Sequence, residues 1–106
     1  MKNLKIVARN EEFIIAHQLC AVPKGKFTNE VYIFRLIEGN LYQTRWGGGN
    51  YFNLTDIKTR LLPILELEVQ RNDKWYADNP DNRINQDYQK CERPSTVRLI
   101  EFLKTL

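Results

Sequence analysis

A chain of 106 residues, 42% hydrophobic, 27% charged and 11% aromatic, is long enough to bury a core without a metal or disulfide staple, and its even composition excludes low-complexity and fibrous classes. Its apolar runs are too short to cross a bilayer and the start MKNLKIVARNEE lacks a signal-peptide core, so a single cytoplasmic α+β domain without membrane association is expected. The net charge of +3 divides into nine basic and five acidic groups in residues 1–60 against seven and eight in 61–106, a scatter that permits nucleic-acid binding without demanding it.

In chain order, Leu4 to Arg9 suits a short strand with Ile6 and Val7 at its centre. Asn10-Glu11-Glu12 breaks the pattern. The following FIIAHQLCAV fits a strand, and also a helix capped by Asn10; three bulky apolar residues directly after a short turn favour the strand. Pro23-Lys24-Gly25-Lys26 is a turn whose two lysines either touch phosphate or, as favoured, form a solvated tip.

Val31 to Glu38 and Leu41 to Trp46 are rich in β-branched and aromatic residues and are separated by Gly39-Asn40, the loop of a two-residue hairpin. That loop sets Glu38 opposite Leu41, Ile37 opposite Tyr42 and Ile33 opposite Trp46. One face then carries Val31, Ile33, Arg35, Ile37, Tyr42, Thr44 and Trp46; the other carries Tyr32, Phe34, Leu36, Glu38, Leu41, Gln43 and Arg45. Neither face is polar, so the hairpin is expected within a larger sheet, with helices over one face and a loop or partner over part of the other.

Gly47-Gly48-Gly49 leads through Asn50-Tyr51-Phe52 to Asn53, whose spacing to Asp56 resembles a capping box, and Leu54, Ile57 and Leu61 recur at helical spacing until Pro63. The glycines suit an anion-binding loop or, as favoured, a flexible turn; neither G-x-G-x-x-G nor G-x-x-x-x-G-K-[ST] is present. After Pro63, Leu65, Leu67 and Val69 alternate with Glu66, Glu68 and Gln70, which predicts a half-exposed strand. A tight turn at Asn72-Asp73 would return Lys74 to Ala77 beside it and set Trp75 among the polar side chains. Asn79 and Pro80 suit a helix start, with Ile84, Tyr88 and Cys91 as a thin stripe to about residue 91; the aspartates there fail the EF-hand order. Pro94 is expected to stop that segment. Ser95 or Thr96 then caps a last helix bearing Val97, Leu99, Ile100, Phe102, Leu103 and Leu106 on one face. The sum is an α+β fold with a mostly antiparallel sheet of about five or six strands packed by two or three helices.

Catalytic and cofactor signals are weak. The two cysteines, Cys20 and Cys91, and the single histidine, His17, cannot complete a four-ligand zinc site, and neither a cofactor nor a metal is expected. His17 and Cys20 are spaced poorly for a nucleophile and its base. Glu66 and Glu68, with Asp56, are the only candidates for carboxylate chemistry. The favoured reading is a non-enzymatic module contacting a protein partner through Tyr32, Phe34, Arg45, Gly47, Gly48, Gly49, Tyr51, Phe52 and Trp75, residue types that interface centres favour. The alternative is a nucleic-acid binder stacking bases on those aromatics, with Lys24, Lys26, Arg35, Arg45, Lys58 and Arg60 on phosphates. A carboxylate enzyme or phosphate-binding glycine loop stands third. Oligomeric state is open; a homodimer through the last helix is one option.

Overall fold

A computed structural model describes residues 3–46 and 50–106. The Gly47-Gly48-Gly49 loop therefore lies outside the described residues. The chain forms two compact units, Met1–Ile57 and Lys58–Leu106.

The first unit is built on one antiparallel sheet in the order β1 (Leu4–Arg9), β2 (Phe13–Gln18), β3 (Tyr32–Ile37) and β4 (Asn40–Gln43). FIIAHQ takes the strand form because Asn10 closes the preceding turn. Its Oδ1 accepts from the Glu12 and Phe13 amides at 2.9 and 2.6 Å, and its own N–H reaches the Phe13 carbonyl. β1 and β2 pair from Leu4–Gln18 to Arg9–Ile14, with a bulge that leaves Val7 extra on β1. Alternation then sorts the sheet. Ile14, Ala16 and Phe34 share one face as a buried cluster with Leu4 and Tyr32 packed against it. Phe13, Ile15, Val31 and Ile33 lie on the opposite face and are at most 1% exposed.

The β3–β4 hairpin forms, with a different turn. Phe34 pairs with Gln43, Arg35 with Tyr42, Leu36 with Leu41 and Ile37 with Asn40, so Glu38 and Gly39, not Gly39 and Asn40, are the central residues. Their φ values of +50° and +80° are those of a type I′ turn, in which glycine is preferred at the second central position; Gly39 takes it, and Glu38 accepts the left-handed first one. The register is offset by two residues, which preserves the predicted faces. Trp46 does not pair with Ile33. Thr44 ends the ladder by giving both its N–H and its hydroxyl to the Ile33 carbonyl (3.0 and 2.9 Å), and Tyr51 bridges to Val31. The predicted capping box is present at α1 (Leu54–Asp56): Asn53 Oδ1 accepts from the Asp56 amide at 2.8 Å, and the Asp56 carboxylate accepts from the Phe52 amide at 3.0 Å.

Among the described residues the sheet has four strands, not five or six, because residues 62–78 are helical. α1 runs into a π-helical segment, Ile57–Leu61, and on into α2 (Leu62–Asp78). The Leu-Glu alternation satisfies both periods, but Leu61, Leu62 and Leu65 are buried while Ile64 and Leu67 are exposed, a helical stripe. Leu, Glu, Gln, Arg and Lys are also strong helix formers. Pro63 does not end the helix. It lacks an N–H and its ring crowds the carbonyl one turn back, and the wider π turn immediately before it accommodates both defects.

The same device recurs. α3 (Arg83–Asp87) continues through a π segment, Tyr88–Glu92, into α4 (Arg93–Lys104), with Pro94 again two residues past the π turn. Pro94 is thus inside a helical stretch, and Ser95 and Thr96 are buried rather than capping, their hydroxyls bonded back to the Glu92 carbonyl at 2.9 and 3.0 Å. Asn79 is the C-cap of α2, and Asn82 caps α3 by accepting from the Asn85 amide. Ile84 and Cys91 face solvent, and the buried position of α3 is Asn85. α4 packs on α2 and buries Leu99, Ile100, Phe102 and Leu103, the face expected of it.

Candidate functional site

The sheet unit sorts its aromatic residues unequally. Phe34 and Tyr51, both expected at a contact surface, are buried at 5% and 8% exposure, because Phe34 joins the Ile14–Ala16 cluster and Tyr51 is held by the Val31 bridge. Tyr32 is half-buried against the same cluster. Phe52 is exposed, and the exposed Arg45 guanidinium stacks 4.7 Å from the Trp46 ring centroid, a cation–π contact that holds both side chains.

What the sheet presents is a groove of about 500 Å³, lined by Leu4 of β1, Gln18 of β2, Phe34 of β3 and Leu41 of β4 together with the Leu19–Ala21 stretch and Lys24. The groove thus draws on every strand. It reaches β4, where all four residues are exposed, Tyr42 among them. Leu4, Leu19, Leu41 and Tyr42 were not singled out by sequence; only the hairpin pattern around Leu41 and Tyr42 signalled them. The other sheet edge differs, since β1 carries the Val7 bulge with Lys5 and Arg9, features that discourage strand addition.

Arg35 Nε is paired with Glu12 at 2.7 Å, Lys58 donates to the Leu106 carbonyl at 2.7 Å, and Lys24 and Lys26 flank the tip of a loop closed by the Cys20 amide on the Lys26 carbonyl. Lys58 and Arg60 belong to the helical unit, the other four to the sheet unit.

In the helical unit, Glu66 and Glu68 do not share a face, because positions two apart on a helix point roughly 200° apart. Glu66 approaches Lys104 at 3.8 Å. Asp73 receives two bonds from Arg93, from Nε at 2.7 Å and Nη2 at 2.9 Å; the guanidinium holds the Asp73 carboxyl below its usual range, and Asp73 raises Arg93 in turn. Trp75 does not stand on a strand beside Glu66 and Glu68. It is on α2, partly exposed, and lines a groove with α3 and the second π segment.

His17 Nδ1 is bonded to the Thr28 carbonyl at 2.8 Å, which makes it a fastener of the loop before β3. Cys20 and Cys91 are free thiols in different units. Among the described residues no three His, Cys, Asp or Glu side chains converge as metal ligands, and no helix is long and apolar enough to cross a membrane. No protein-family model, curated protein or solved structure matches this chain.

Proposed function

We propose that this chain is a small non-enzymatic binding protein that takes a protein partner on the β3–β4 side of its sheet. The observation that supports the reading is the groove beside Phe34 and Leu41 running to β4, whose four residues are all exposed. An extended partner segment would lie along β4, the last strand of the sheet, its main chain bonding along that edge and an apolar side chain entering the groove; the first contact supplies affinity and the second specificity. Tyr42, on the opposite face of β4 from Leu41, the exposed Phe52 and the Arg45–Trp46 stack add side-chain types that carry interface energy. This reading keeps Arg45 and Phe52 from the expected contact set, gives Phe34 the role of groove wall rather than anchor, and adds Leu41 and Tyr42.

The test is affinity capture from the native source by the full chain, by Leu41→Lys and by Tyr42→Lys, each with and without nuclease. Both positions are exposed, so the variants should keep the fold. The expected result is a protein captured by wild type, insensitive to nuclease and lost with either variant. Capture abolished by nuclease would instead support the base-stacking alternative, and capture unaffected by both substitutions would remove the groove and edge from the account.

A further inference from the structure

We infer that α2 docks a second copy of this chain, the two helices packing antiparallel along their outer faces. α2 turns Leu62 and Leu65 inward, while Ile64, Leu67 and Trp75 stay 57, 45 and 44% exposed. At 3.6 residues per turn, these three, Arg71 and Asp78 fall within an arc of about 80° on the side turned away from Leu62 and Leu65. They make one stripe that recurs every three or four residues, the spacing by which two helices interlock. Large apolar side chains gathered on one stripe mark a contact surface, where the same residues scattered singly would not. α4, by contrast, keeps Leu99, Ile100, Phe102 and Leu103 buried.

The charges say which partner fits and which way it runs. Along the stripe and its flanks the order is Arg60, Glu68, Arg71 and Asp78. Arg71, Lys74 and Asp78 have no ion-pair partner within the chain among the described residues. In a parallel pair of copies each of these charges would meet itself. Turned antiparallel about a point between Val69 and Gln70, Glu68 of each copy meets Arg71 of the other and Arg60 meets Asp78. The same rotation sets Ile64 against Trp75 and lays Leu67 on the aliphatic stem of Arg71. Every contact then occurs twice, as a two-fold interface requires. An anionic membrane surface would match the basic residues of the stripe and repel the acidic ones. The helix has 17 residues and is about 26 Å long, so the contact falls in the small, transient class of interface. The chain is accordingly monomeric when dilute and pairs as it is concentrated. α2 belongs to the helical unit and β4 to the sheet unit, so this contact is independent of the partner site on β4.

The test is sedimentation equilibrium of the full chain from about 10 μM to about 1 mM, with nuclear Overhauser spectra recorded at the upper concentration. Wild type should pass from monomer to dimer. The Ile64 methyl protons should then show cross-peaks to the Trp75 indole, which within one helix lies about 16 Å away, too far for such a contact. Arg71→Glu, at an exposed position that leaves the fold intact, sets carboxylates against each other at both ends of the two-fold and should weaken dimerisation at least about tenfold. The doubly substituted Glu68→Arg, Arg71→Glu chain inverts both pairs and should dimerise like wild type. A monomer at the upper concentration, or dimerisation unchanged by Arg71→Glu, would overturn the α2 contact. Missing cross-peaks, or a double variant as weak as the single one, would overturn the antiparallel register. Dimerisation lost with Leu41→Lys instead would overturn the assignment to α2 in favour of pairing at β4.

Discussion

Leu65 and Leu67 separate the two periodicities that residues 62–78 satisfy. In a strand both side chains would point to the same buried face, and truncating either would cost alike. In α2 they point about 200° apart, and Leu65 is fully buried while Leu67 is 45% exposed. Leu65→Ala removes three carbons from a close-packed site between α2 and its neighbours, a change that costs about 2–5 kcal/mol depending on how far the site collapses. For a chain of this size that is a large part of a total stability of about 5–15 kcal/mol, and about 3 kcal/mol corresponds to a fall of roughly 12 °C or more in Tm. Leu67→Ala, at an exposed helical position where alanine is a better helix former, should stay within about 0.5 kcal/mol. Chemical denaturation of the two variants under identical conditions decides the matter. Equal losses would refute the helical assignment and the packing argument built on it.

Three further outcomes follow from single features. Glu38→Asn replaces a residue at φ +50° with one that tolerates the left-handed region, and should raise stability by about 0.5–1 kcal/mol; a loss would mean that the turn is not type I′ at Glu38-Gly39. Asn85→Leu removes the unpaired buried amide and should stabilise the chain by about 1 kcal/mol in urea titrations; a loss of stability would mean that the amide is hydrogen-bonded in the folded chain. Because Arg93 depresses the folded pKa of Asp73, the pair contributes stability above the carboxyl's unfolded value near 3.8, and that contribution fades as pH falls through the lower folded value. Both partners are more than a third exposed, so its size should be below about 1 kcal/mol; urea titrations at neutral and strongly acid pH should show a smaller acid loss in Asp73→Asn than in wild type.

The hairpins were legible because their evidence is local. Asn10 and Gly39 dictate chain reversals that no distant contact needs to support, and the offset of two in the second turn left Phe34 and Tyr42 on their expected faces. The helical third was misread for a physical reason. Leu65 and Val69 obey a period of two as well as the helical period, and Pro63 and Pro94 look like stops unless a π turn precedes them, which depends on backbone hydrogen bonding that composition does not encode. The candidate site was legible only in part. Both faces of β3 are apolar, so nothing local told a buried Phe34 from an exposed one, and Leu4, Leu19 and Leu41 meet only through the tertiary approach of β1, β4 and the loop after β2. Asn85 reads as an ordinary helix-surface amide; its burial exists only in the packed unit.

The central claim is that the partner is a protein held by apolar and main-chain contacts at β4, and the salt dependence of its affinity tests this most directly. Once the captured partner is in hand, its Kd for the full chain measured between about 50 and 200 mM salt should change by no more than a few-fold, because few charges line the β4 path. A fall of about a thousandfold over that range would be the signature of released counterions from bound phosphates and would contradict the account.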